Sequence, residues 1–270
     1  MSYTERTPRV TAARKLLRRS GRERAGRFVV EGARSVAEAL DWAGAGGEVR
    51  ELFVTEDAAR RHPDVLAFAM AAGVAVSTVT EEAASGLSET VTPSGLVAVC
   101  SRVDVTLADA LAGAPRLVAV LVDVADPGNA GTVIRVADAA GAGAVVLAGD
   151  SVDPHNGKSV RASAGSIFHL PVVVERNVGA VLDACRSAGL QLVAADGNGE
   201  LSLDDADDML AAPTAWLFGS EAHGVPAAVS AAADHRLRVP IRGRAESLNL
   251  ATAAAVCLYA SARAHAPSRQ

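Results

Sequence analysis

An unbroken run of apolar residues from Leu117 to Val122 restricts the possible folds of this chain more than any other segment. A strand with one solvated face alternates apolar and polar residues, whereas an unbroken run suits a parallel sheet that is covered on both faces. Further segments have the composition of strands: 143–149, 171–174, 190–195, 214–218 and 236–240. Segments with helical spacing alternate with them: 129–140, 178–188, 225–233 and 246–264. This alternation predicts an α/β domain with a parallel sheet over residues 116–270.

The N-terminal part of the chain carries a second α/β pattern. Four segments there are predicted strands: 28–30, 49–54, 74–79 and 95–100. Helical spacing lies between them at 33–43, at 57–72 and in a short segment after the third strand. This pattern predicts a compact α/β sandwich over 28–100 and a linker over 101–115, which ends in Gly-Ala-Pro. A length of 270 residues also favours two domains over one,.

The charge of the chain is unevenly distributed. Its net charge is −5, but residues 1–30 contain nine arginines or lysines and two glutamates, which gives +7 there and −12 in the remainder. A basic N-terminal arm at 1–27 can neutralise RNA phosphates and release their counterions. We therefore expect RNA contacts from Arg14, Arg18 and Arg22, although a solvated basic helix without a partner would have the same composition.

The cysteines and the hydropathy pattern indicate an intracellular protein. No apolar segment approaches the length of a membrane span, and no cleavable leader is recognisable, so we expect a cytoplasmic location,. Cys100, Cys185 and Cys257 are far apart, and each lies in an apolar segment. This spacing favours neither a disulfide framework nor a metal site, so we predict three buried thiols.

A first polar motif follows the Leu117–Val122 strand. It runs from Asp126 to Arg135 and contains Asn129 and two glycines at the start of a predicted helix. Open α/β sheets bind ligands at the carboxyl ends of their strands, so this turn is a candidate site. It lacks the G-x-G-x-x-G spacing of dinucleotide-binding turns, which argues against a nucleotide-dependent oxidoreductase. Arg135 could hold a phosphate through its planar guanidinium or could be a surface ion-pair partner.

A second motif follows the strand at 214–218. It reads Phe-Gly-Ser-Glu-Ala-His-Gly-Val-Pro over 218–226. Glycines permit close approach of the backbone to a ligand, and exposed amides can bind polar groups. His223 is a candidate general base, and an exposed turn histidine is the alternative.

A third motif connects the last predicted strand to the last helix. It includes Pro240, Ile241 and the triplet Ser247-Leu248-Asn249. Ser247 suits the N-cap of the helix. An amide side chain in an apolar first turn needs hydrogen-bond partners, so Asn249 is either buried with partners or faces a ligand.

Together, these motifs resemble the signatures of the SpoU-type (TrmH-like) RNA ribose 2′-O-methyltransferases of the SPOUT superfamily. The matching patterns are Asn-x-Gly-x-x-x-Arg at 129–135, Phe-Gly-Ser-Glu-x-x-Gly at 218–224, Pro-Ile…Ser-Leu-Asn at 240–249 and Arg-Ala-Ser-Ala-Gly…Leu-Pro at 161–171. The N-terminal half, through 28–32 and 87–99, resembles the L30e-like substrate-binding domain of such enzymes. Within the superfamily the chain is similar to the branch of thiostrepton-resistance rRNA methyltransferases.

The resemblance implies a C-terminal domain with a deep trefoil knot, a topology that is almost absent from other proteins. It implies that two such domains pair, so that each active site needs both. It also implies S-adenosylmethionine as methyl donor, bound in a bent shape by the second and third motifs. The positions carried over for this cofactor are Leu217, Gly219, Val239, Ile241 and Leu248. Residues 194–197 are expected near it as well, although no motif marks them.

The implied reaction is methyl transfer to a ribose 2′-hydroxyl of RNA. The implied active-site residues are Arg135, Asn129, Glu221, Ser247 and Asn249. The pKa of a guanidinium lies above about 12, so we expect Arg135 to orient the nucleotide and stabilise oxyanion charge, and we assign no base. The methyl donor is already activated, so the chemistry needs no metal. Arg135 and Arg161 join the basic arm as expected RNA contacts.

The RNA target is less constrained than the reaction. A separate substrate-binding domain favours 23S rRNA by family analogy, and tRNA is the alternative. A non-catalytic dimeric RNA-binding protein is the rival of another class, and the intact Arg135, Glu221 and Asn249 argue against it. Aromatic residues make up only 3% of the chain, so RNA contacts are expected to depend on arginine,. A role in rRNA processing and a role in antibiotic resistance both stay open.

Overall fold

The computed structural model describes residues 2–220 and 222–265. The chain divides into two compact units: unit 1 is Met1–Val103 with His155–His169, and unit 2 is Asp104–Pro154 with Leu170–Gln270. The first boundary falls inside the predicted linker at 101–115. Residues 155–169, which the sequence pattern assigns to the C-terminal domain, belong to unit 1 instead.

Unit 1 is built on a four-stranded sheet. Its strands are β1 (Arg27–Glu31), β2 (Val49–Thr55), β3 (Ala75–Val79) and β4 (Leu96–Ser101), in the spatial order β1-β4-β2-β3. Strand β4 pairs antiparallel with β1 and β2, whereas β2 and β3 are parallel. Side chains alternate between the two faces of a strand, and β4 is buried from Leu96 to Cys100, so helices must cover the sheet on both faces,.

The first two helices of unit 1 replace the predicted arm. They are α1 (Pro8–Lys15) and α2 (Arg19–Ala25). Val10, Ala13 and Leu16 are buried in a cluster with strand residues such as Val29 and Phe53. The basic segment is therefore part of the folded unit, because one side of α1 is apolar and packs on the sheet.

The next four helices of unit 1 are α3 (Ala33–Gly44), α4 (Glu56–Arg61), α5 (Pro63–Ala71) and α6 (Glu81–Ser85). The segment 57–72, predicted as one helix, forms α4 and α5. His62 between them has φ −130° and ψ 57°, outside the helical region. The cause is Pro63, which has no N–H to donate and disfavours helical geometry in the preceding residue.

The segment 155–169 contributes a further helix, α9 (Gly157–Ser163), and a 3₁₀ turn at Ser166–Phe168 to unit 1. Its aromatic side chains explain the assignment. The ring of Phe28 lies 4.7 Å from His155 and 6.1 Å from Phe168, and Trp42 lies 5.4 Å from Phe168. Since Phe28 and Trp42 belong to β1 and α3, this cluster ties the segment to the first sheet.

Unit 2 contains a seven-stranded sheet in which every pair is parallel. The spatial order is β7-β6-β5-β10-β8-β11-β9. The strands are β5 (Leu117–Val122), β6 (Ala144–Ala148), β7 (Val172–Glu175), β8 (Gln191–Ala195), β9 (Leu201–Ser202), β10 (Thr214–Phe218) and β11 (His235–Arg238). The prediction of an α/β domain with a parallel sheet is confirmed. The two-residue β9 was not predicted, because it has no apolar run.

Helices cover the sheet of unit 2 on both faces. They are α7 (Leu107–Leu111), α8 (Pro127–Ala139), α10 (Val178–Ser187), α11 (Asp207–Leu210), α12 (Ala227–Ala232) and α13 (Leu250–His265), with a 3₁₀ turn at Leu203–Asp205. Helix α13 packs against α8, α11 and the strands β5, β8 and β10. Among the described residues, no helix combines the length and hydropathy that crossing a bilayer requires.

The three cysteines are free and buried, as predicted. Burial raises the pKa of the Cys185 thiol to about 11 and that of Cys257 to about 12, and it also raises the pKa of Cys100. The neutral thiol is therefore the stable form of each side chain in the folded protein.

A hydrogen bond to Trp216 anchors the last helix to the sheet. The indole Nε1 of Trp216 donates to Ser261 Oγ at 2.9 Å, and both side chains are fully buried. Trp216 belongs to β10 and Ser261 to α13, so this bond joins the strand before the second motif to the helix after the third.

We expect Ser261→Ala to lower the free energy of unfolding by about 1–3 kcal/mol, because the buried indole N–H loses its acceptor. The measurement is urea unfolding followed by tryptophan fluorescence. Thr252→Ala, which removes an exposed hydroxyl from the same helix, is the control and is expected to change stability little. Equal stability of the two variants would contradict the anchoring role of this bond.

Candidate active site

Four loops of unit 2 leave the sheet at the same edge. They follow the carboxyl ends of β5, β10, β8 and β11, which are neighbours in the sheet. The first motif follows β5, the second follows β10 and the third follows β11. Because all strands are parallel, this arrangement brings polar segments from across the sequence together at the edge where such sheets bind ligands.

The first motif forms the start of α8. Asp126 is the N-cap, and its Oδ1 accepts a hydrogen bond from the backbone N–H of Asn129 at 2.8 Å. Pro127 occupies the first helical position, where the lack of an N–H costs nothing,. These two residues fix the first turn and thereby the position of the Asn129 side chain.

The third motif ends in Asn249, which caps α13. Its Oδ1 accepts from the backbone N–H groups of Ala251 at 2.9 Å and Thr252 at 3.3 Å. The helix begins at Leu250, so two predictions are wrong: the start of the last helix at residue 246 and the N-cap role of Ser247. Asn249 takes the capping role because its amide oxygen reaches the free N–H groups of the first turn.

The same Asn249 side chain joins two motifs. Its Nδ2 donates to Asn129 Oδ1 at 3.0 Å. The capping oxygen and the bridging nitrogen belong to one amide, so the cap orients the donor toward Asn129. The sequence predicted either burial with partners or a ligand contact for Asn249; the structure places it at the surface with these three partners.

The second motif is a tight glycine turn. The backbone N–H of Gly224, at φ +67°, donates to the Ser220 carbonyl oxygen at 2.8 Å. An added Cβ at Gly219 would overlap the backbone of Gly224 and Val225. Glycine is therefore required at 219 by the turn itself.

His223 is exposed, which agrees with the alternative of an exposed turn histidine. Glu221, a predicted active-site residue, lies outside the described residues.

A cavity of about 280 Å³ lies between these loops. Residues of the second and third motifs and of the loop after β8 line it: Ala195, Asp196, Gly197, Phe218, Gly219, Ser220, Gly224, Leu237, Val239, Ile241, Glu246, Ser247, Leu248, Leu250 and Ala253. Its walls combine apolar side chains with two carboxylates and exposed backbone. This composition is typical of small-molecule sites.

The loop after β8 is held by hydrogen bonds on both sides. Asp196 accepts from Ser230 Oγ at 3.2 Å and from the backbone N–H of Asn198 at 2.9 Å. Arg238 donates to the Gly199 carbonyl oxygen at 2.8 Å. A hydrogen bond from Arg236 lowers the pKa of the Glu200 carboxyl. The wall formed by Asp196 and Gly197 is thus fixed against β11.

The predicted cofactor positions divide into two groups. Gly219, Val239, Ile241 and Leu248 line the cavity, and so does Ser247. Leu217 was predicted to contact the cofactor. Its side chain is instead fully buried in the core of the sheet and does not line the cavity. It alternates with Trp216 and Phe218 along β10, and the motif alone does not tell which of these faces the loops.

Some residues that line the cavity were not predicted from a motif. Asp196 was expected near the cofactor only within the unmarked range 194–197, and Phe218, Leu237 and Glu246 were not predicted as lining residues. The available signal was positional. Asp196 comes directly after a predicted parallel strand, at the edge where the other polar loops were expected.

Arg135 lies away from the cavity. It is exposed on α8 and is not among the lining residues. It follows Pro127 by eight positions, which corresponds to roughly 12 Å along the helix axis. The expectation that Arg135 sits near the strand ends stays a prediction.

The predicted RNA contacts of unit 1 differ in exposure. Arg14 and Arg18 are exposed. Arg22 is 3% exposed, and its Nη1 donates to the carbonyl oxygens of Leu16 and Leu17 at 3.0 Å each, so its prediction as an RNA contact is wrong. Arg161 lies 3.8 Å from a Glu89 carboxylate oxygen and 4.0 Å from one of Glu31, so its charge is balanced within unit 1.

Metal ligands are absent from the site as far as the structure describes it. No group of three or more histidine, cysteine, aspartate or glutamate side chains that could hold a metal ion occurs in 2–220 and 222–265.

Comparisons with known proteins place this site in a family. Residues 116–259 match the model of the SpoU rRNA Methylase family, and residues 7–98 match the MRM3-like substrate binding domain. The chain is 35% identical over 249 residues to the 23S rRNA (guanosine(2553)-2'-O)-methyltransferase RlmP of Bacillus subtilis (strain 168), covering 91% of this chain and 92% of that protein. The chain belongs to the SpoU rRNA methylase family.

Solved structures agree with this membership. The AdoMet-bound rRNA methyltransferase from Sinorhizobium meliloti superposes with a TM-score of 0.82 at 30% identity, covering 97% of each chain. The SpoU methyltransferase AviRb from Streptomyces viridochromogenes, in complex with AdoMet, superposes with a TM-score of 0.81 at 32% identity, covering 95% of this chain and 98% of that one. The resemblance stated from the motifs is confirmed.

We expect Asn249→Ala to lower the free energy of unfolding by about 1 kcal/mol, because two N–H groups lose their cap. Asn249→Ser keeps a capping oxygen but not the amide that reaches Asn129, so it is expected to retain most of the stability. Thermal unfolding of both variants measures this difference. A loss as large in Asn249→Ser as in Asn249→Ala would show that capping is not the stabilising contact.

Proposed function

We propose that this protein transfers a methyl group from S-adenosylmethionine to the ribose 2′-hydroxyl of one nucleotide in 23S rRNA. The observation that carries the proposal is the meeting of three family motifs at one edge of a parallel sheet, where Asn249 bonds to Asn129 beside the cavity. The relative RlmP and the neighbours from Sinorhizobium meliloti and Streptomyces viridochromogenes support it through their own named activities and bound AdoMet.

The cavity suits S-adenosylmethionine. The apolar side chains of Leu237, Val239, Ile241 and Leu248 offer a surface for an adenine ring. Gly219 lines the same cavity, and its lack of a side chain permits the tight turn of the second motif. The acidic residues Asp196 and Glu246 line the same cavity. Negative charge there favours a ligand that carries a sulfonium cation. These residues therefore form the proposed cofactor site.

The bound cofactor supplies an electrophilic methyl group on a sulfonium sulfur. The chain must orient the ribose hydroxyl and stabilise the negative charge that develops on its oxygen. Arg135 is the proposed group for both tasks, because a guanidinium holds a phosphate in a fixed geometry and remains charged. Asn129 and Asn249 are proposed to position the reacting nucleotide through the rigid amide pair, together with Ser247 and Glu221.

The separation of Arg135 from the cavity supports a site shared between two copies. We propose that the protein is a homodimer, as the family resemblance implies, and that Arg135 of the partner subunit approaches the cavity. The trefoil knot is a further proposal. It is supported by the packing of α13 against α8, β5 and β10 after the chain has formed the cavity loops.

RNA recognition is assigned to both units. Arg14 and Arg18 of unit 1 and Arg135 of unit 2 are the proposed RNA contacts. The buried Arg22 is not one of them. The match of residues 7–98 to a substrate binding domain supports this division. A cytoplasmic location and chemistry without a metal are part of the same proposal.

The decisive test is transfer of tritiated methyl from S-adenosylmethionine to total RNA that lacks the modification, with nuclease mapping of the label. We expect label on one ribose of 23S rRNA. Label on tRNA would change the target, and no label despite cofactor binding would favour a non-catalytic RNA-binding protein.

We expect Arg135→Ala to reduce methyl transfer by about 10²- to 10³-fold, the loss typical of removing one group that stabilises transition-state charge. Binding of S-adenosylmethionine, measured by calorimetry, is expected to stay unchanged. Arg186→Ala is the matched control, because Arg186 lies at the end of α10 that leads to the opposite edge of the sheet. Equal losses in both variants would contradict a specific role of Arg135.

We expect Gly219→Ala to weaken S-adenosylmethionine binding roughly 10- to 100-fold, which corresponds to the 1–3 kcal/mol typical of overpacking. Gly243→Ala lies in the third-motif loop, where an added Cβ meets no atom, and it is expected to bind normally. Unaltered binding by Gly219→Ala would show that the glycine turn is not part of the cofactor site.

Mixing the two impaired variants, at an S-adenosylmethionine concentration near the wild-type Kd where both are weakly active, tests the shared site. If Arg135 acts on the partner subunit, exchange of subunits between Arg135→Ala and Gly219→Ala restores about a quarter of the active sites, since half of the dimers are mixed and each has one intact site. If Arg135 acts within its own chain, the mixture is no more active than the two variants measured separately.

A further inference from the structure

A groove of about 670 Å³ lies between α1 and α2 in unit 1. Four cationic side chains line it: Arg14, Lys15, Arg18 and Arg24. Among the residues that the structure describes, no carboxylate lines this groove. The groove is therefore a concave surface with only positive charges, in a protein whose net charge is −5.

The lining cations differ from the other basic residues of the segment. Arg6, Arg9 and Arg19 form ion pairs with Glu5, Glu51 and Glu23. Arg14, Lys15, Arg18 and Arg24 make no ion pair with any residue that the structure describes. Their charge is therefore available to an anionic partner, and the two glutamates of the segment are already paired elsewhere.

The floor of the groove is apolar. It is formed by Leu16, Leu17, Ala12 and Ala25, between the cationic side chains. A duplex presents mainly phosphates on its outside and would leave such a floor uncovered. An unpaired nucleotide offers both a phosphate and an exposed base, and bases stack on arginine guanidinium planes as well as on aromatic rings. No aromatic residue of the described ranges lines the groove, so arginine is the available stacking partner.

Two residues preform the groove. An added Cβ at Gly21 would overlap the carbonyl oxygen of Lys15, so α1 and α2 approach each other here without a side chain between them. The buried Arg22 donates to the carbonyl oxygens of Leu16 and Leu17 and so holds the connection between the helices. The free cations are thus displayed on a fixed framework rather than on a flexible arm.

We propose that this groove binds an unpaired stretch of the RNA substrate, with phosphates on Arg14, Lys15, Arg18 and Arg24 and a base over Leu16 and Leu17. The proposal rests on the proposed function. It adds that the RNA bound at this surface is single-stranded. It also assigns Gly21 and Arg22 as positioning residues, because each shapes the groove without reaching its open side.

The experiment compares two double variants of the full-length protein that lose equal charge. Arg18→Ala/Arg24→Ala removes two groove cations, whereas Arg6→Ala/Arg19→Ala removes two cations outside it. The probes are a fluorescein-labelled 12-nucleotide RNA of mixed sequence and its duplex, titrated by anisotropy at several KCl concentrations. Methyl transfer to total RNA and S-adenosylmethionine binding are measured in parallel.

We expect the wild-type protein to prefer the single strand, and the groove variant to lose about tenfold or more in affinity for it. The salt slope is expected to fall by about 0.7 for each phosphate of the single strand that the groove variant no longer neutralises. The variant with outer substitutions is expected to keep the wild-type affinity. Gly21→Ala, which changes no charge, is expected to bind as weakly as the groove variant while S-adenosylmethionine binding persists.

Equal losses in both double variants, or equal affinity for the duplex, would overturn the groove proposal. Methyl transfer by the wild-type protein in that case would leave the proposed function standing. The opposite result, weakened single-strand binding by the groove variant with no methyl transfer by the wild-type protein to any RNA, would overturn the proposed function and retain the groove as a nucleic-acid site.

Discussion

The strands of the unit 2 sheet all run in parallel, so the loops that follow β5, β10, β8 and β11 leave it at one edge. This arrangement makes a site from segments that are otherwise far apart in the chain. Asn129 and Asn249 are separated by 120 positions and still form a direct hydrogen bond. The bond depends on the sheet in two ways, because β5 positions α8 and the Trp216 anchor in β10 positions α13. Buried packing therefore fixes the exposed Asn249 against the half-buried Asn129.

The strands of both sheets could be predicted because their apolar runs reflect burial on two faces. Helix ends were harder to predict. Residues 246–249 continue the composition of α13, yet the helix begins at Leu250, where the Asn249 side chain supplies the cap. The position of 155–169 in unit 1 depends on contacts of Phe168 and His155 with Phe28, which no local pattern reveals. Local propensity determines elements, whereas such assignments depend on partners distant in sequence.

The cavity was predictable where a residue type has a backbone consequence. Gly219 is required by the turn, and Val239 and Ile241 follow a strand that ends at the site. Orientation was not predictable, so Leu217 was placed at the cavity although its side chain points into the core. Whether a charged side chain is exposed was not predictable either. Composition counts Arg22 with its neighbours, but only the fold shows that its guanidinium satisfies two carbonyl groups and is withdrawn from solvent.

Separation of charge explains how a protein with a net charge of −5 can act on a polyanion. Asp196 and Glu246 line the cavity of unit 2, where negative charge suits a sulfonium cofactor and disfavours phosphates,. Four unpaired cations lie instead in the groove of unit 1: Arg14, Lys15, Arg18 and Arg24. A uniformly basic surface would attract RNA to the cofactor cavity and compete with the methyl donor. In the proposed division, the cations of unit 1 hold the RNA chain, Arg135 of unit 2 holds only the target nucleotide, and the acidic residues line the cofactor cavity. This division lets both ligands bind without such competition.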